Sequence, residues 1–141
     1  MIIVMPQLTV KQLQDFLKTD FPQSSVIVEA VGDQCATIRQ VIDGSHLRPG
    51  GTVSGPVLMA VADIAMYVAL LSEIGIVPLA VTTNLSINFL RKPAADRDIV
   101  AQCHLLKVGK TLAVGEVSLF SEGVSDLLAH VVCTYAIPPR V

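Results

Sequence analysis

Between Pro56 and Leu71 the chain runs for sixteen residues, Pro-Val-Leu-Met-Ala-Val-Ala-Asp-Ile-Ala-Met-Tyr-Val-Ala-Leu-Leu, and carries a single charge, Asp63. The run is announced by Gly51-Thr52-Val53-Ser54-Gly55-Pro56. Ser54 has the short polar side chain that N-caps favour, and Pro56 suits a first turn, where its missing N–H costs nothing. The pattern predicts a helix over residues 55–74, about five turns long, ended by Gly75 and Pro78. A helix apolar on nearly every side must be buried on nearly every side. Sixteen residues with a central carboxylate fall short of the roughly 20 apolar residues that cross a bilayer, so the run reads as a core helix. An Asp there is costly unless it has partners or a task. Asp63 is therefore either a structural residue satisfied by neighbouring donors or the centre of the chemistry.

A chain of 141 residues is read as one domain, 1–141, with residues 1–22 as an N-terminal helical extension. Its composition is 52% hydrophobic and 16% charged. That is more apolar surface than a monomer of this size comfortably hides, and it predicts a homo-oligomer. A net charge of −2, no dense Lys/Arg cluster, no Trp and 4% aromatics argue against a nucleic-acid surface. Cys35, Cys103 and Cys133 are odd in number and lack redox or metal spacing, which fits a reduced cytoplasm. Met1-Ile-Ile-Val-Met5 is too short for a secretory h-region and has no basic n-region. His46, His104 and His130 are scattered, so no metal site is expected. No Gly-rich phosphate loop or dinucleotide fingerprint is present.

Residues 9–20 place Val10, Leu13, Phe16 and Leu17 at helical spacing, with Thr9 as cap and Pro22 as stop. Residues 24–31 and 34–42 are β-branched runs around Gly32-Asp33, the signature of a hairpin. A Pro/Gly-rich loop then leads to the apolar helix. Beyond it, strand-like stretches at 79–90, 98–107, 111–121 and 126–137 are separated by Pro93–Asp98, Gly109-Lys110 and Glu122–Ser125. The plan is α+β: two strands, one long buried helix, and a four-stranded antiparallel meander. A helix apolar all round needs a sheet that curls about it.

These residues resemble a known family, the hotdog-fold thioesterases, and within it the phenylacetate-pathway (PaaI-like) branch. The resemblance covers about residues 24–138. It rests on Gly51-x-x-Ser54-Gly55 with Asp63 eight residues on, then on Thr82-Thr-Asn-Leu-Ser-Ile-Asn-Phe-Leu-Arg-Lys-Pro93. Gly109-Lys-Thr-Leu-Ala-Val-Gly-Glu-Val117, Ser121-Glu-Gly123 and Thr134-Tyr135 extend it. The resemblance implies a hotdog fold, with a long central helix wrapped by a curved antiparallel sheet. It also implies that the Gly55 backbone N–H polarises a thioester carbonyl, while Asp63 attacks it or activates water. Helix N-termini suit such a developing oxyanion. Eight residues at about 1.5 Å rise separate the two groups by about 12 Å within one chain. They can serve one carbonyl only across a two-fold dimer.

Three positions depart from the family motif. Ser54 stands where the family has His, and Pro56 where it has Gly; Arg48 stands where Asn or Gln is common, seven residues before Gly55. Ser54 has no neighbouring base to activate it as a nucleophile, which leaves the N-cap role. Arg48, in a Pro/Gly loop, is either a solvated surface side chain or one that reaches a substrate carboxylate, a phosphate, or Asp63 itself. Coenzyme A is the implied carrier, as part of the substrate and with no separate cofactor. Arg91, Lys92 and Lys110 are candidates for its phosphates. The leading reading is hydrolysis of a small or medium acyl-CoA by a dimer or dimer of dimers. The alternatives are a non-catalytic acyl-CoA or acyl-carrier binding protein and a hotdog dehydratase. The last would require a His five residues after Asp63, where the chain has Val68.

Overall fold

In the computed structural model, which describes residues 6–139, the first element is helix α1, Val10–Asp20. Met1–Met5, the segment read as too short for a secretory leader, lie outside the described residues. Thr9 caps α1 through a reciprocal box: its Oγ accepts from the Gln12 N–H at 3.2 Å, and Gln12 Oε1 accepts from the Thr9 N–H at 2.9 Å. Leu13 and Leu17 form the buried stripe. Strands β1 (Ile27–Gly32) and β2 (Cys35–Gln40) follow as a hairpin. Its loop is Asp33-Gln34, one residue later than the sequence suggests, because Gly32 still pairs with Cys35. Gln34 takes the left-handed backbone, φ 55°, and its N–H donates to Glu73 Oε1 at 2.6 Å.

The segment read as an irregular loop holds a miniature hairpin, β3 (Leu47–Arg48) with β4 (Thr52–Val53). Helix α2 then spans Gly55–Ile74, as the capping signals require. Gly75 ends it with φ 89°, its N–H returning to the Leu71 carbonyl at 2.8 Å. At 20 residues, α2 is in fact long and apolar enough to cross a membrane by length and composition alone. Its burial, not its length, assigns it to the core: Ile64 to Ser72 are buried without a break.

Strands β5 (Val81–Phe89), β6 (Ile99–Val108), β7 (Leu112–Ser121) and β8 (Ala129–Ala136) complete one six-stranded antiparallel sheet, in the order β1-β2-β6-β7-β8-β5. The expected four-stranded meander is therefore corrected. Only β6, β7 and β8 run in chain order. Helix α2 carries the chain beneath the sheet, so β5 emerges at the far edge beside β8, and β6 closes against β2. Alternate residues of β6, β7 and β8 face α2 and are buried, among them Ala101, Cys103, Val117, Leu119 and Val131. Among the described residues this is the hotdog arrangement, a long helix wrapped by a curved sheet.

The sheet closes most tightly on α2 at Gly115. A Cβ there would lie 2.6 Å from Met66 Sδ, with Leu105 and Cys103 side-chain atoms at 3.3 and 3.4 Å. Gly115→Val should overpack this contact and lower stability by about 1–3 kcal/mol. A urea midpoint unchanged from the parent would show that the helix can shift away. At the other extreme, β5 is an open edge: Val81 and Phe89 are each 53% exposed, and no described strand pairs with its outer side.

Candidate active site

Asp63 is half-buried near the middle of α2, and its hydrogen bonds converge on one oxygen. Thr82 Oγ donates to Asp63 Oδ1 at 2.5 Å and Tyr135 Oη donates to the same atom at 2.9 Å. The Tyr135 hydroxyl also lies 3.1 Å from the Asp63 carbonyl oxygen. Burial, with the Asp63 charge beside it, pushes the Tyr135 phenol above its ordinary range. Tyr135 therefore stays protonated at neutral pH and remains a donor. The arrangement fixes the carboxylate and leaves Oδ2 as the unengaged oxygen among the described contacts.

A bulge sets this geometry. In the β5–β8 ladder Thr82 pairs with Tyr135 and Asn84 with Thr134, so Thr83 is the extra residue. Along β5, Leu85 and Ile87 share the helix-facing side with their partners Cys133 and Val131. Simple alternation would turn Thr82 away from α2. The inserted Thr83 shifts the parity and turns Thr82 back towards Asp63 beside Tyr135. Neither partner of Asp63 stands out in the sequence as a functional residue, although both lie within the stretches that carry the family resemblance.

Gly55 lies at the other end of β5. A Cβ on Gly55 would meet the tip of the Phe89 ring at 3.2 Å, so the start of the helix and the end of the strand lie in close contact. Ser54 occupies the N-cap position in an extended conformation but makes no side-chain capping bond, against the expected role. Pro56 removes one of the two N–H groups that such a cap can bind, and the other, on Val57, is left unused by Ser54. The first-turn N–H groups are thus not consumed by Ser54. A cleft of about 620 Å³ opens here, and its lining includes Arg48, Gly55, Pro56, Phe89, Arg91 and Lys92.

Five of the residues singled out by sequence therefore share one cleft. Three do not. Ser54 is outside its lining. Asp63 lines two different cavities. Lys110 sits in the β6–β7 turn, next to Leu112, which pairs with Ala136 and through it with Val81. That is the opposite end of the sheet from Arg91 and Lys92. Arg48 faces the Gly55 cleft, and the hydrogen bonds of Asp63 go to Thr82 and Tyr135, so the sequence-level pairing of Arg48 with Asp63 is not formed. Arg91 Nε lies 3.9 Å from Asp126 Oδ2, a loose and exposed pair. The buried Cys103 and Cys133 are unpaired, and burial pushes both thiols up to about 12. They serve as small core residues, not nucleophiles.

Residues 50–127 match the family model described as the thioesterase superfamily. The chain belongs to the thioesterase superfamily. No curated protein matches it significantly. Among solved structures, a candidate thioesterase from Silicibacter sp. TM1040 is 43% identical, with a TM-score of 0.88 over 95% of this chain and 94% of that one. Zebrafish thioesterase superfamily member 2 superposes with a TM-score of 0.82 at 21% identity, over 94% and 100% of the two chains. The PaaI protein from the phenylacetic acid degradation operon of E. coli gives 0.77 at 15% identity, over 94% and 97%. At such identities the last two show a shared hotdog fold.

Proposed function

We propose that the chain is an acyl-CoA thioesterase whose active site forms between two copies. The observation that carries this reading is the placement of its two chemical groups at opposite ends of β5. Asp63 is bound to Thr82 near the start of that strand, and Gly55 lies against Phe89 at its end. The open edge of β5 invites a second copy of itself. An antiparallel β5–β5 pairing about a two-fold axis sets the Thr82 end of one chain against the Phe89 end of the other. Asp63 of one copy then faces Gly55 of the second. Pairing the edges also covers the exposed Val81 and Phe89.

In this scheme the helix N-terminus at Gly55 binds the thioester oxygen as negative charge develops on it. Asp63 Oδ2 takes a proton from a water whose oxygen attacks the carbonyl carbon, the C–S bond breaks, and the departing CoA thiolate takes up the proton. In the covalent variant Oδ2 itself attacks, CoA leaves, and water then hydrolyses the mixed anhydride to release the acid. Thr82 and Tyr135 hold the carboxylate through Oδ1 while this happens. The same two-fold brings Lys110 of one copy towards the Arg91–Lys92 end of the other. No metal or further cofactor enters the scheme, and the unpaired cysteines suit the cytoplasm.

The test is thiol release from a panel of acyl-CoAs of varied length and ring content. Release from at least one ester is expected. Silence across the panel would favour a binding protein on the same fold, the reading suggested by Ser54 in place of the family His. A further expectation concerns the carrier. Arg91→Gln or Lys92→Gln should raise KM several-fold with little change in kcat, the mark of binding shared by ground and transition states. Added salt should mimic it, since exposed charges are screened beyond about 10 Å at 0.1 M. Unchanged KM in both variants would return these side chains to the solvated surface.

A further inference from the structure

Resting on that reading, we propose that Phe21 at the end of α1 is a specificity-determining residue: it divides the space beside Asp63 into two lobes, a mixed one and an aromatic one, and the aromatic lobe takes a compact, uncharged acyl group. Two cavities, of about 310 and 370 Å³, meet at Asp63. They share three lining residues: Asp63, Ile64 and Phe21. The first two belong to the rigid central helix. Phe21 alone comes from outside it, and it is the wall that side-chain size can move.

Phe21 is well held. Its N–H donates to the Leu17 carbonyl at 2.9 Å and its own carbonyl accepts from the Ser24 N–H at 3.0 Å. Its ring packs against Tyr67 with centroids 6.2 Å apart. On one side of it Ser24, Gln40 and His46 stand among Val26, Val57 and Val61, a mixed lining. On the other stand Phe16, Tyr67 and Tyr135, linked through Tyr67 by centroid distances of 6.1 and 6.0 Å. Both phenol hydroxyls on this side are already used: Tyr67 donates to the Pro78 carbonyl at 3.0 Å and Tyr135 to Asp63. The lobe therefore offers ring faces and edges, which suit a flat or branched hydrocarbon.

Size and charge narrow the class. Each lobe lies near the lower end of the roughly 300–1,000 Å³ of small-molecule sites, so a single ring or a short branched chain fits one lobe more readily than a long alkyl tail does. The exposed Asp20 stands in the wall of the aromatic lobe along with Asp63. An acyl group ending in a carboxylate would meet two like charges there. The lobe rejects it by repulsion and not by a missing contact.

The experiment measures kcat/KM for matched series of CoA esters: single-ring, short branched, long straight-chain and dicarboxylic. The parent, Phe21→Ala and the milder Phe21→Leu are compared after thermal melts confirm folding. Phe21→Ala should merge the lobes and raise the long-chain to single-ring ratio at least tenfold, with Phe21→Leu between. Asp20→Asn should improve the dicarboxylic esters selectively. Binding of non-hydrolysable thioether analogues of the same series is titrated in parallel. Turnover with an identical selectivity profile in all variants overturns the role of Phe21. Absent turnover with a Phe21-dependent binding preference overturns the hydrolase reading and leaves the partition standing. Failure of every analogue to bind overturns both.

Discussion

Asp63→Asn is expected to slow thiol release from the preferred acyl-CoA by at least about 100-fold, the lower range for loss of an acid–base group. The substitution is conservative in shape. The Asn carbonyl oxygen can still accept from Thr82 and Tyr135, so the helix and its neighbours keep their contacts. What disappears is the basic or nucleophilic oxygen left free by those two donors. Steady-state kinetics on a variant with an unchanged melting profile makes the test clean. KM should move little, because the lost interaction belongs to the reacting centre. Full activity in Asp63→Asn would make the carboxylate a structural group, and the catalyst would have to be sought in the Gly55 cleft, with Ser54 and Arg48 next in line.

The second large effect is recovery. Gly55→Val should be inactive alone: its branched side chain intrudes at the helix N-terminus, where a Cβ already touches the Phe89 ring. That ring is half-exposed and can swing aside, so folding should survive. Mixing Asp63→Asn chains with Gly55→Val chains and allowing exchange should return about a quarter of the parental activity, since half the dimers then carry one intact site of two. Neither variant alone can approach this value. If exchange is demonstrated by mass and no activity returns, the two groups do not meet across a two-fold. Light scattering that finds a monomer at micromolar concentration would exclude a shared site as well.

The helix was the most legible part of the chain, because its signals are local. Gly55-Pro56 and Gly75 mark its ends, and an unbroken apolar surface has few places to go. Individual strands were legible for the same reason. Their order was not. Whether β5 pairs with β6 or with β8 depends on where α2 delivers the chain, and nothing in Val81–Phe89 records that. The site divides in the same way. Gly55, Pro56, Arg48, Arg91 and Lys92 could be picked out from helix-start chemistry, positive charge and family motif. Thr82 and Tyr135 could not be joined to Asp63, because the bulge at Thr83 reverses the alternation that a reader would apply. Ser54 stands where a cap belongs yet leaves the Val57 N–H unbound, and Pro56 offers it no second donor.

The strand order has a consequence for how the molecule is made. The β1–β2 hairpin finds its next partner only when β6 exists, with residue 35 opposite residue 104. Between them the ribosome delivers α2, the most apolar segment of the chain, with no sheet yet able to cover it. Pairings so distant in sequence are reached slowly, since the intervening loop must be ordered before any contact rewards it. During that interval the nascent helix is exposed and prone to association. Newly made chains should therefore depend on holding factors until β6 and β7 emerge, and fragments ending before residue 99 should aggregate more readily than the whole chain.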